Sequence, residues 1–440
     1  MDRVADVADG VNGTARVAVI GGGYAGMAAA AELASHGIRV GVFEAARVLG
    51  GRARRVESDG RQLDNGLHIL LGAYKETLRL IGLVKQPGES FGLLRRPLAL
   101  IIHPDFRLRA PRLPAPLHLL FALLGARGLA VGDRIAAARF MAWARFTGFK
   151  LPADMTVTQL LKRKNQPAGV SRFLWVPLCV SALNTPPEEA SAQVFLNVLR
   201  DSLNGSRADS DLLLPAMDFS ALLPERAARF VKSRGGEVDL GVTIEGIRRD
   251  EDRFVLAGDE SFTHVIIATS PHRVGALLAD FPELATLAGV VESLRYQPIY
   301  SVYLQYANNA RLPFAMGGLE ARYSQWVFDR GQLCGQHGLI GVVISASGAH
   351  QDLPRDELAR AVHAELVAQF PSLGEPLWHQ VIAEKRATFA CTPGLARPGN
   401  TTPVPRLLLA GDYTASDYPA TIESAVRSGV RAASLVMKDD

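Results

Sequence analysis

The stretch that most constrains this chain covers residues 16–52, RVAVIGGGYAGMAAAAELASHGIRVGVFEAARVLGGR. It predicts a β-branched strand over Arg16–Ile20, a tight glycine turn, an alanine-rich helix over residues 27–36 and a second strand ending near Glu44. Gly21, Gly23 and Gly26 stand at G-x-G-x-x-G spacing. The first glycine allows the sharp turn and the second lets a pyrophosphate approach the backbone. The third lets helix and strand pack closely. Phosphates placed there meet the positive end of the helix. Glu44 is positioned to accept hydrogen bonds from an adenosine ribose. A strand before the glycines, a helix after them and an acid at this distance together predict dinucleotide binding.

Gly50-Gly51-Arg52 follows Glu44 closely. A second glycine pair with an arginine suits the pyrophosphate of FAD and has no counterpart need in an NAD-binding fold. The far end of the chain repeats the design in RLLLAGDYTASDYPATIESAVRSGVRAA, residues 406–433. There a strand over residues 407–410 leads into a Gly411-Asp412 turn and a helix beginning at Thr421. This pairing of an N-terminal fingerprint with a C-terminal strand, Gly-Asp turn and helix resembles the FAD-dependent amine oxidase and carotenoid desaturase superfamily. The resemblance implies an α/β fold in which a Rossmann-type FAD-binding domain is interleaved with an α+β substrate domain and a helical, membrane-facing cap. It places Asp412 at the ribityl–pyrophosphate region and the backbone of Ile244 against adenine. The helix N-terminus at Thr421 and Ile422 would face the flavin ring and favour its anionic reduced form. FAD is expected to be held non-covalently, because residues 411–429 contain neither cysteine nor histidine.

Length and composition fit two interleaved domains with a large core. A net charge of +4 and no RNA- or DNA-binding signature argue against nucleic acid. Cys179, Cys334 and Cys391 are widely spaced and odd in number, which argues for a reducing compartment and against a disulfide framework. The first 15 residues are polar, without the apolar run of a signal peptide, and are expected to form a disordered tail.

In chain order, the expected partition is an FAD-binding part over 16–90, a helical cap over 91–215, a second FAD-binding part over 216–290, a substrate sheet and helix over 291–384, and a third FAD-binding part over 385–440. Residues 61–74 lead from the pyrophosphate towards the flavin in folds of this type. Asp64 and His68 are therefore candidates for catalytic work, with Asn65 and Gly66 beside them. Residues 91–150 hold ten Arg or Lys against two acids, an excess of eight, interleaved with Leu, Phe and Trp143. The apolar run there is too short to span a bilayer, so a surface dipping into the headgroups is expected. The alternative is a cap with a solvated basic face. Pro186-Pro187 with Glu188 and Glu189 predicts a helix start. Alternating patterns predict strands over 295–306, 325–328 and 339–345, followed by a helix over 355–370.

Three readings of the enzyme compete. The amine-oxidising branch of the superfamily uses a lysine near the flavin, yet no lysine lies between Lys232 and Lys385. Carotenoid and phytoene desaturases or isomerases fit the C-terminal segment. GRARRVESDGRQLDNGLHILLGAYKETLRLIG, PLCVSALNTPPEEASAQVFLNVLRDSL, SDLLLPAMDFSALLPE and RATFACTPG resemble more specifically the squalene-associated FAD-dependent desaturases, the hydroxysqualene dehydroxylase family. A different class, a flavin-bearing membrane scaffold without turnover, is the remaining alternative. The family resemblance implies reductive removal of a hydroxyl from a long apolar isoprenoid, with hydride from reduced flavin, in squalene and hopanoid synthesis. It implies an external electron donor, since no second fingerprint marks an NAD(P)H domain. It also implies a cytoplasmic protein resting on the inner face of the membrane.

Overall fold

The computed structural model describes residues 15–256 and 260–439. Apart from Ala15, the polar tail expected over the first 15 residues lies outside them. The central strand, β1 (Arg16–Ile20), sits in a five-stranded sheet that is parallel throughout. On one side lie β2 (Arg39–Glu44) and the strand Glu237–Leu240. On the other lie His264–Ile267 and Leu407–Leu409. Three remote parts of the chain therefore meet in one sheet, and the order reverses direction at β1. Such a switch point opens a crevice beyond the carboxyl ends of the strands.

Between the β1 and β2 strands runs α1 (Tyr24–Ser35), buried on every side from Tyr24 to Ala34. It starts three residues earlier than its alanine run predicts, because Tyr24, Ala25 and Gly26 already form its first turn. A helix apolar all round must be covered all round. The sheet covers one side and the C-terminal helix Ile422–Asp439 another. These helices nearly touch at Gly429, where a Cβ would stand 2.1 Å from the Ala25 carbonyl oxygen. Glycine in mid-helix costs about 0.5–1 kcal/mol relative to alanine; here the cost is offset by the packing it allows.

The second body is a seven-stranded sheet in the order Trp378–Phe389, Tyr296–Gln305, Leu339–Ser345, Trp326–Asp329, Met316–Leu319, Ala99–His103, Phe106–Arg109. Its last two strands come from the segment expected to be a helical cap. That segment is thus a mixture: Leu93–Arg96 pairs with Leu212–Pro215, and helices including Leu117–Leu124, Val131–Phe146 and Ala192–Leu203 fill the rest. The basic alternation in FRLR, with Phe106 and Leu108 buried and both arginines exposed, is a strand pattern rather than a helical one. The helix expected at Pro186 begins at Ala192 instead. Residues 187–189 form a turn, and the Ser191 hydroxyl accepts from the Val194 N–H at 3.1 Å to cap the helix. Among the described residues no helix is long and apolar enough to cross a membrane.

Because the Gly429 contact is backbone against backbone, Gly429→Val has no flexible neighbour to push aside. Its stability is expected to fall by about 1–3 kcal/mol, read as a lower midpoint in chemical denaturation. An unchanged midpoint would show that the two helices can separate freely.

Candidate active site

One cavity of about 1250 Å³ runs from the glycine turns at the end of β1 into the space between the substrate sheet and the helices of the 91–215 segment. Gly21, Gly23, Glu44, Gly51, Arg52, His68, Ile244, Gly411, Asp412, Thr421 and Ile422 all line it. Gly26 and Asp64 do not. Beyond these residues the wall turns apolar, with Leu100, Leu119, Leu123, Trp175, Phe195 and Phe328 among its members.

At the first end, α1 begins at Gly23 without a side-chain cap, so its N–H groups face the cavity uncovered. A Cβ on Gly23 would meet nothing nearer than the Gly51 Cα at 3.8 Å. The two glycine turns are tied by the Gly50 N–H donating to the Gly22 carbonyl at 2.9 Å, and together they face the cavity as bare backbone. Gly26 does the packing work expected of it: a Cβ there would fall 1.9 Å from the Gly21 carbonyl oxygen. The Glu44 carboxylate is fixed by two backbone donors, Gly22 N–H at 2.6 Å and Ala46 N–H at 2.8 Å. Its remaining lone pairs are left for hydroxyl groups in the cavity. Val242, whose N–H donates to the Glu44 carbonyl at 3.0 Å, leads to Ile244, which lines the same cavity.

Farther in, the Arg52 guanidinium donates to the Ala387 carbonyl and forms an ion pair with the buried Asp412 carboxylate. The Gly50-Gly51-Arg52 turn and the Gly411-Asp412 turn, 360 residues apart, are thereby tied together. At the C-terminal helix the Thr421 N–H is already taken by the Ser424 hydroxyl at 3.0 Å, and the Thr421 hydroxyl accepts from the Ser424 N–H at 3.2 Å. Of the pair expected to face the flavin, Ile422 therefore carries the first free donor of the helix, while Thr421 is its cap.

The two catalytic candidates separate. Asp64 is fully buried outside the cavity wall, accepting from the Arg330 guanidinium at 2.8 Å and the Phe219 N–H at 3.1 Å. Burial pushes its carboxyl above the usual carboxylate range, and Arg330 pulls against that rise. A group so engaged has no path to a substrate, and the reading of Asp64 as the catalytic acid is corrected to a structural one. His68 does line the cavity. Its Nδ1 must carry a proton, because it lies 2.8 Å from the Gly66 carbonyl oxygen, which can only accept. Nε2 has no partner among the described residues. Burial lowers the His68 pKa below the ordinary imidazole value.

Two further residues were not predicted. The Thr269 hydroxyl, at the end of the strand beside β1, is buried without a partner among the described residues and lines the cavity. Asn184 is a left-handed C-cap whose side chain bonds Pro298, Thr388 and Ala346, joining the helices to the substrate sheet at the cavity wall. An asparagine ending an apolar run was the available signal.

The open backbone at Gly23, the uncapped helix, the fixed carboxylate at Glu44 and the Arg52–Asp412 pair fit an extended dinucleotide such as FAD. Gly23→Val would cover this bare backbone with a side chain beside Gly51 without a clash, since the nearest atom to its Cβ is 3.8 Å away. The purified variant is expected to lose bound flavin, read from absorbance in the visible region, while retaining the circular dichroism of the folded chain. Retained flavin would place the pyrophosphate elsewhere.

Comparison with known proteins agrees with this geometry. The family described as flavin containing amine oxidoreductase matches residues 24–437. A hydroxysqualene dehydroxylase from Rhodopseudomonas palustris is 31% identical, over 96% of this chain and 98% of its own. Another from Zymomonas mobilis is 29% identical, over 95% and 98%. The solved structure of an oxidoreductase from Methanosarcina mazei superposes with a TM-score of 0.73 at 16% identity, over 96% of this chain and all of that one. The chain is thus an FAD-dependent oxidoreductase that belongs to the flavin containing amine oxidoreductases and, among them, to the hydroxysqualene dehydroxylase family.

Proposed function

We propose that the chain removes the hydroxyl of hydroxysqualene reductively, forming squalene for hopanoid-type pathways. The observation that carries this reading is the continuity of one cavity, polar where the cofactor belongs and apolar beyond it. A long isoprenoid needs such a lining, and near-complete relatives are named for this substrate. Bound and reduced, FAD supplies the hydride that replaces the departing hydroxyl. The chain supplies the setting. Leu100, Trp175, Phe195 and Phe328 hold the hydrocarbon and keep out water, which would otherwise capture a cationic carbon. His68 is the group we assign to the proton: held at Nε2, it would be handed to the leaving oxygen. An external donor restores the electrons.

The same reading places the protein on the inner face of the cytoplasmic membrane. Helix Leu117–Leu124 presents Leu119, Ala122 and Leu123 to the cavity, while Leu120, Phe121 and Leu124 are 45%, 50% and 52% exposed. Val131, Ile135 and Phe146 extend the exposed apolar surface, and the exposed Arg107, Arg109 and Arg112 lie in the same segment. Apolar burial and attraction to anionic lipid would act together.

Two tests follow from this. Anaerobic, pre-reduced protein mixed with hydroxysqualene in detergent is expected to be reoxidised with an equal amount of squalene formed. Because burial lowers the His68 pKa, its proton is present at low pH and lost as pH rises, so this rate should fall with rising pH through a value below that of free imidazole. His68→Gln should be slow and flat across that range without losing FAD. Oxidised protein reduced by phytoene-like polyenes, with hydroxysqualene left untouched, would replace this reading with that of a desaturase. For the membrane, a single buried Phe or Leu is worth about 1.5–3 kcal/mol. Phe121→Asp with Leu124→Asp is therefore expected to cut sedimentation with anionic liposomes at least tenfold, and Arg107, Arg109 and Arg112 changed to Glu should weaken it in a salt-sensitive way. Undiminished sedimentation in both would move the membrane face or remove it.

A further inference from the structure

A second part of the cavity rim has the opposite character. Arg273 follows the strand His264–Ile267, and Lys385 and Arg386 lie on the strand Trp378–Phe389 of the other sheet. All three line the cavity, and all three are exposed. None forms an ion pair among the described residues, in contrast to Arg52 just inside, which is held by Asp412. The nearby acid, Glu384, is occupied by the Asn65 side chain at 3.1 Å and the Arg386 N–H at 3.3 Å. His272 sits among them, and partial burial together with Arg386 and Arg273 lowers its pKa, so the rim's positive charge rests on the three fixed cations. The fold thus gathers three like charges from a helix and a strand at one opening, beside the Glu384 carboxylate but without an ion pair among the described residues.

We propose that this rim, Arg273, Lys385 and Arg386, is the docking site of a small acidic electron-carrier protein. The inference rests on the reading that the working flavin is reduced. That chemistry consumes two electrons per turnover, and the chain has no second G-x-G-x-x-G fingerprint followed by an acid for a nicotinamide domain. The flavin's own phosphates do not need these cations, because the glycine turns, the helix end and Arg52 already face them. Two carriers each give one electron, and one proton comes from solvent, so that the bound flavin gains a hydride equivalent. That hydride, with one further proton, converts the alcohol to hydrocarbon and water. An acidic carrier meeting a basic opening is steered to it, and the association is weakened by salt. Docking there sets the carrier beside the Arg52–Asp412 pair at the inner end of the cofactor segment, while the apolar wall at Leu119 and Leu123 remains free for substrate.

The test uses FAD-loaded protein and an acidic [2Fe–2S] ferredoxin as the probe. In the first arm, oxidised ferredoxin is titrated onto the protein without substrate, so the result does not depend on dehydroxylation. In the second, reduced ferredoxin is mixed anaerobically and flavin reduction is followed. The parent is expected to bind and be reduced in a manner that weakens as salt rises. The variant Arg273→Glu, Lys385→Glu, Arg386→Glu should bind and react at least tenfold more weakly at low salt, with the salt dependence lost. Lys385→Gln with Arg386→Gln should fall between them. FAD content and reduction by dithionite should match the parent in every variant. Equal binding and equal reduction of parent and variants would overturn the proposal. So would direct reduction by NADPH that alone is lost in the charge-reversed variant, since the rim would then be reading a nucleotide phosphate. Normal reduction by ferredoxin without squalene formation would instead count against the dehydroxylation reading and leave the docking site standing.

Discussion

The arrangement depends on the end of β1, where the parallel sheet changes direction. There a strand end, an uncapped helix N-terminus and two glycine turns converge on one volume. Side chains cannot replace that arrangement, because its donors are backbone N–H groups and its room comes from missing Cβ atoms. Residues far apart in the chain are recruited to keep it in place. Gly429 lets the C-terminal helix press against Ala25, and Asp412 reaches the Arg52 guanidinium across the same opening. Loss of the first contact would loosen the cofactor cradle from outside it, and loss of the second from within.

Much of this was legible in the sequence because the constraints involved are local. G-x-G-x-x-G spacing, an acid at the end of the next strand and a Gly-Asp turn each declare a backbone geometry within a few residues. Glu44 and Gly23 accordingly line the cavity, as does Ile244, which only the family resemblance singled out. What escaped was set by partners distant in sequence. Asp64 lies in the same segment, 61–74, as His68, but Arg330, 266 residues away, turns its carboxylate into a buried ion pair. Nothing in the neighbourhood of Asp64 announces Arg330. The strands at Ala99–His103 and Phe106–Arg109 were hidden for a related reason. Their alternation is short, and they become strands by joining the edge of a sheet built mostly from residues after 295.

The cavity also explains how one fold can serve chemistry that needs both water-soluble and water-excluded components. The cofactor end is polar and fixed by charges in pairs. The remainder is apolar and passes beneath a helix that is apolar on both its inner and outer faces. In the proposed reaction a cationic carbon must meet hydride before it meets water, so the second part matters as much as the first. His68 stands between the two, with one ring nitrogen committed to the backbone and the other open.

In the proposed reaction hydride flows from the flavin to the substrate. Its most direct test is a single anaerobic turnover with deuterium at flavin N5, under conditions that limit exchange with solvent. Squalene carrying one deuterium is expected, in an amount equal to the flavin reoxidised. Squalene formed without label would contradict hydride transfer, and labelled flavin left reduced in the presence of solubilised hydroxysqualene would contradict the assignment of the substrate.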